Sequence, residues 1–203
     1  RQRGLRALHY AARVGPLKTV HLLIGSNASP NVLDTEGLLP LDKVSKLSTR
    51  DTQAVREFLH EQLMQNAVKC GALIRVSDDG KKAKQVFCVL LPLQLCFYSD
   101  PNATSQTKGR VDLAQVERLR KGGRQIKDGS ASSSKSDKLL NDLDESCSFE
   151  IGDSAHTTVL YAESEYEADA WIGLLRGLVE EQAISDGRQN ELLTGYGGDA
   201  AAS

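Results

Sequence analysis

None of the four cysteines in this 203-residue chain belongs to a C-x-x-C pair. Cys70, Cys88, Cys96 and Cys147 are scattered, and Cys88 and Cys96 sit inside apolar runs. The usual thiolate zinc and redox spacings are therefore absent, and buried free thiols in a reducing compartment are expected. His9, His21, His60 and His156 share no ligand spacing with the cysteines, so no metal site is expected. No apolar run approaches the roughly 18 residues that cross a bilayer, and no secretory leader pattern is present. Serine-hydrolase, P-loop, zinc-protease and kinase motifs are missing too. The sequence thus offers no catalytic apparatus and implies no cofactor. Net charge is −2, which does not suit a nucleic-acid binder. Aromatics make up only 5%, with a single Trp. The chain starts at Arg1 without Met, as expected of a fragment of a longer protein.

The first third carries a repeat. Gly4-Leu5-Arg6-Ala7-Leu8-His9-Tyr10-Ala11-Ala12 aligns with Gly37-Leu38-Leu39-Pro40-Leu41-Asp42-Lys43-Val44, and the two glycines stand 33 residues apart. Leu8, Ala11 and Ala12 give a short helix face suited to close packing. Gly15-Pro16 breaks the chain, and Leu17, Val20, Leu22 and Leu23 form a second helix before an Asn27-Ala28 turn. In the second unit Val55, Phe58, Leu59 and Leu63 stripe a helix expected from about Thr52 to Gln65.

From residue 67 the period shifts from helix to strand. Strands are expected at Gly71–Val76, Gln85–Leu91, Gln94–Tyr98, Arg110–Ala114, Ser148–Ile151 and Thr157–Ala162, with a further one over Val116–Leu119. Asp78-Asp79-Gly80 makes a hairpin turn. The Gln85–Leu91 run is too apolar to face water on either side. Ala168, Trp171, Ile172, Leu175, Leu178 and Val179 then fall on one stripe of an amphipathic helix. Ser164 and Glu167 form a capping-box pattern at its start. Residues 129–147 are rich in Ser and Asp and read as a disordered insertion, and 184–203 as a disordered tail.

Two resemblances follow. Residues 1–66 resemble a pair of ankyrin repeats ending a longer array. The departures are Arg6-Ala7 in place of Thr-Pro and Asp42 in place of His, which removes the motif's usual turn-to-turn hydrogen bonds at Asp42. In that motif His9 is a structural hydrogen-bonder. Residues 67–183 resemble a pleckstrin-homology (PH) domain. Gly71-Ala72-Leu73-Ile74-Arg75, Val89-Leu90, Leu95-Cys96-Phe97-Tyr98, Phe149-Glu150-Ile151, Leu160-Tyr161-Ala162 and Glu167 with Trp171-Ile172 match its motifs in order. Phosphotyrosine-binding and EVH1 domains share the scaffold, but the Trp favours PH. The implied fold is multidomain α and β: an α-helical ankyrin pair plus a seven-stranded β-barrel or sandwich capped by a C-terminal α-helix. Ankyrin repeats preceding a PH domain also match the domain order of one branch of oxysterol-binding-protein relatives.

Charge within the second region is uneven. Residues 69–128 hold 12 Lys/Arg against 6 Asp/Glu, and residues 129–182 hold 3 against 12. The resemblance implies a lipid-headgroup site at Arg75, Lys81, Lys82, Lys84, Lys108 and Arg110, where two hairpins open at one end of the barrel. The family's lipid motif would place Arg75 and Lys84 at its first two basic positions but Val86 at its final Arg. Arg gives a bidentate phosphate contact that Lys replaces poorly. The expectation is therefore a non-catalytic, cytoplasmic adaptor. It would have weak affinity for a phosphoinositide or acidic membrane surface, and an unidentified protein partner would bind the ankyrin repeats. The alternative is a pure protein-interaction module in which the PH-like part packs on the repeats and binds no lipid. An enzyme is the third class, and nothing in the residues favours it.

Overall fold

A computed structural model describes residues 6–45, 49–77, 80, 82–101, 107–122 and 143–185. The serine-rich segment 129–142, the tail 186–203, Asp78, Asp79 and Lys81 lie outside them. The chain divides into two compact units. The first comprises Arg1–Ala72 and Gln85–Arg110, the second Leu73–Lys84 and Val111–Ser203.

The first unit opens with α1 (Ala7–Val14) and α2 (Leu17–Gly25). Pro16 directly precedes α2, where its missing N–H costs nothing. Asn27 closes α2 at φ 63°, and the Ala28 N–H donates to the Leu23 carbonyl at 2.9 Å. Asn is among the few residues that tolerate this left-handed position. Asp34 then organises the tip before the second helix pair. Its Oδ1 accepts the N–H groups of Glu36 at 2.8 Å and Leu38 at 2.9 Å, while Gly37 supplies φ 71°. α3 is a single turn, Pro40–Lys43, followed by α4 (Arg50–Gln65). α4 begins before Thr52 because Thr49 caps it. The Thr52 N–H donates to Thr49 Oγ1 at 3.2 Å, and the Thr49 N–H donates to Thr52 Oγ1 at 2.9 Å. Buried Val55, Leu59 and Leu63 form the α4 stripe. His9 is buried with Nε2 2.9 Å from the Leu38 carbonyl, the structural role its motif implies.

Seven strands follow: β1 (Lys69–Val76), β2 (Ala83–Leu90), β3 (Gln94–Tyr98), β4 (Gly109–Asp112), β5 (Arg118–Lys121), β6 (Ser148–Gly152) and β7 (Thr157–Tyr161). They form one open sheet in the order β4-β3-β2-β1-β7-β6-β5, rather than a closed barrel or two separate sheets. Strand β4 ends earlier than its apolar pattern suggests. Asp112 Oδ1 accepts the Ala114 N–H at 3.0 Å and turns Leu113–Gln115 into a 3-10 turn, which starts β5 two residues late.

The β2–β3 pair explains the doubly apolar run. Phe87 lies opposite Tyr98 and Val89 opposite Cys96 on one face, while Cys88 opposes Phe97 and Leu90 opposes Leu95 on the other. Alternation sends successive side chains to opposite faces, so a strand buried on both must be apolar throughout. The face carrying Val89, Cys96 and Tyr98 shares one core with Leu8, Val20, Leu39, Leu59 and Leu63 of the helical repeats.

In the second unit, β7 lies between β1 and β6, with Ile74 opposite Tyr161 and Phe149 opposite Leu160. Gly152 makes the β6–β7 turn possible, because a Cβ there would collide with the His156 carbonyl. The last helix, α5 (Glu165–Ser185), starts where Ser164 Oγ accepts the Glu167 N–H at 3.2 Å. Ala168, Trp171, Ile172, Leu175 and Val179 are buried on it, and the stripe continues to Ala183. Trp171 is 0% exposed. No helix among the described residues is long and apolar enough to cross a membrane.

Because one core runs through the repeats and β2–β3, Leu59→Ala should cost about 2–5 kcal/mol. It should also speed amide hydrogen exchange in β3, at Cys96 and Tyr98, together with exchange in α4. Exchange confined to α4 would show two separate cores.

Candidate functional site

The hairpin between β1 and β2 is closed by Ser77 and Lys82. The Ser77 N–H donates to the Lys82 carbonyl at 2.9 Å, and the Lys82 N–H donates to Ser77 Oγ at 3.0 Å. Gly80, at φ 71°, turns the chain, and its N–H donates to the Ser77 carbonyl at 2.8 Å. Counting back two residues on each strand sets Arg75 across from Lys84, since an antiparallel ladder preserves facing by twos. Arg75 also pairs in register with Leu160, a 0%-exposed residue of the core face. Arg75 is half-buried, while Lys82 and Lys84 are exposed. The second unit thus gathers Arg75, Lys82 and Lys84 at one hairpin end. Val86, two residues further along, is 4% exposed and belongs to the core. Its place in the ladder leaves no room for the headgroup arginine of the family motif.

The other two described cations belong to the first unit. Lys108 is exposed, and its N–H donates to the Phe97 carbonyl at 2.7 Å. Arg110 is taken up internally. Its guanidinium donates to the Gly37 carbonyl at 2.6 Å and to Asp42 Oδ2 at 3.2 Å. The Thr107 hydroxyl donates to Asp42 Oδ1 at 2.7 Å, and the Leu39 N–H to Asp42 Oδ2 at 3.0 Å. The Asp42 side chain is only 8% exposed. Asp42 is the departure from the ankyrin pattern. Instead of leaving the turn loose, it fastens the turn before α3 to the start of β4. Composition and motif matching missed this junction. The signal for it was an acid where the repeat expects His, together with a strand pair apolar on both faces.

Buried polar groups nearby are poorly suited to catalysis. Burial pushes the Cys96 thiol up to about 12, and burial likewise raises the Tyr98 phenol. At neutral pH neither is a nucleophile or a proton carrier. No group of His, Cys, Asp and Glu among the described residues is placed to hold a metal. Asp34 is different. Burial pushes its carboxyl up, but the Lys43 ammonium 2.8 Å away and the N–H groups of Leu38 and Glu36 outweigh that and hold it below the ordinary value.

The PH-domain family model matches residues 67–180, more than half of the chain, and the chain belongs to that family. The ankyrin-repeat model matches residues 3–35. No curated protein matches the chain. Among solved structures, the N-terminal PH domain of human ARAP2 is similar at 19% identity, TM-score 0.41, covering 66% of this chain and 90% of that one. The PH domain of human oxysterol-binding protein-related protein 11 is similar at 13% identity, TM-score 0.41, covering 66% and 92%. A Slm1 PH domain in complex with inositol-4-phosphate is similar at 17% identity, TM-score 0.41, covering 56% and 96%.

Two outcomes are expected. Arg110→Ala leaves a buried Asp42 without its cation and should lower stability by about 2 kcal/mol in urea unfolding. An unchanged midpoint would remove Arg110 from the junction. Asp34, with a lowered folded-state value, contributes stability above the ordinary carboxylate range and loses it as pH falls through that lowered value. Thermal stability should therefore drop below about pH 4, and the drop should shrink in Asp34→Asn. Identical pH profiles would contradict this.

Proposed function

We propose that the chain is a non-catalytic adaptor whose PH domain associates weakly with acidic phospholipid through the β1–β2 hairpin. The observation that carries this reading is the facing of Arg75 and Lys84 beside exposed Lys82. Lys81, their neighbour in sequence, adds a further charge. Each basic residue near an anionic surface is worth about 1 kcal/mol, and salt screens it. With Val86 in place of an arginine, the contact is electrostatic rather than specific for one headgroup. Lys108 is a separate candidate. Arg110 serves the Asp42 junction and is not assigned to lipid. In this reading the protein is cytoplasmic and visits a membrane surface peripherally, while the repeats bind a protein.

A second reading has its own support. In the first unit, the face of β2–β3 that carries Val89, Cys96 and Tyr98 is already occupied by the repeats. That burial is the hallmark of a packing module, and it requires no lipid.

Co-sedimentation with phosphatidylserine or phosphoinositide liposomes at low salt separates the two. Lys82→Ala with Lys84→Ala removes about 2 kcal/mol, so binding should weaken roughly 30-fold. No binding to any anionic liposome would leave the packing module as the reading.

A further inference from the structure

The helical repeats expose an apolar face that their own fold leaves open. Tyr10 is 61% exposed, Val14 61% and Leu22 62%. Their positions are not random. On α1, at 100° per residue, Ala7, Tyr10 and Val14 form one stripe, and Leu8, His9, Ala11 and Ala12 are buried around the other side. His9 reaches the Leu38 carbonyl just before α3, so the second unit of the repeat lies on the buried side. On α2, His21 stacks on Phe58 of α4 at 3.9 Å between ring centroids, and Leu22 points roughly 100° away from His21. The exposed stripes of both helices thus lie away from the side that holds the second helix pair.

Stacked repeats close their ends with polar faces, because each unit buries its apolar surface only against a neighbour. Here the end face carries a tyrosine, a valine and a leucine. The face on the other side already holds a helix pair displaced by 33 residues. We infer that the surface formed by Tyr10, Val14 and Leu22 is the seat of a further helical repeat of the same 33-residue register, stacked as the second unit stacks on the first. The argument is continuity: the repeat that presents this face already uses its opposite face for an equivalent partner. The face itself bears no acidic residue. Lys18 and Arg13 lie at its margin, so the fitting repeat is apolar at the centre with acids at the rim.

The test is the chain with residues 4–36 duplicated in tandem ahead of Gly4, and a second version in which the added unit is a consensus 33-residue helical repeat. Amide exchange over Leu8–Val14 of the original unit should slow at least tenfold in either version. Tyr10→Ser with Val14→Gln in the original unit should abolish the slowing. The same pair in the duplicated copy should leave it intact. Both side chains are exposed, so unchanged exchange in β3 will verify that the double variant is folded. Unaltered α1 exchange in both versions would overturn the inference. So would sedimentation showing that the unmodified chain dimerises through this face, with the dimer lost in Tyr10→Ser/Val14→Gln, because the occupant would then be a second copy.

Discussion

The arrangement depends on one constraint: β2 and β3 have no face to give to water. Phe87, Val89, Cys96 and Tyr98 point one way, and Cys88, Leu90, Leu95 and Phe97 the other. An antiparallel pair ordinarily keeps one polar face. This one cannot, and in the first unit the helices of the repeats supply the missing cover. At roughly 25 cal/mol per Å² of apolar surface, covering such a face outweighs any single ion pair in the unit. The repeats are in this sense part of the strand pair's core. They are joined to it by packing as well as by the short connection between Gln65 and Lys69.

Asp42 fixes how that packing is aligned. Apolar faces are non-directional and tolerate sliding, whereas a carboxylate held by the Leu39 N–H, the Thr107 hydroxyl and the Arg110 guanidinium does not. A half-buried charge needs its full set of partners, so the junction specifies one alignment at the cost of desolvating Asp42 and Arg110. It also divides the basic residues by role. Arg110 and Lys108 look equivalent in sequence, but one is spent on a carboxylate and the other stays exposed.

Much of this was legible beforehand where a pattern was long and local. The Trp171 stripe, the Gly4–Gly37 period and the seven strands all came from periodicity. The family motifs ordered them. Two kinds of feature did not come through. Local caps shifted boundaries, as Thr49 did for α4 and Asp112 for β4, because a single side-chain hydrogen bond outweighs a weak propensity. Partnerships across long separations were invisible for a different reason. Arg110 and Asp42 are 68 residues apart, and nothing in either neighbourhood names the other. Basic residues could be counted, but which of them face a headgroup depends on register, and that was fixed only by the Ser77–Lys82 bonds.

The two faces of the repeat pair are asymmetric, and the asymmetry has a physical reading. A repeat stack needs an end that water accepts. On the side of α3 and α4 the stack ends without a polar capping repeat, since Val89, Cys96 and Tyr98 of the sheet take up its apolar surface. A β-strand pair can do this because its side chains stand about 5 Å apart across the ladder and offer a flat apolar plane to a helix layer. On the side of Tyr10, Val14 and Leu22 no described element performs that service. A stack closed by a sheet at one end and apolar at the other extends in one direction only. The sheet is therefore the terminus of the helical array, and the PH domain sits where a capping repeat would otherwise stand.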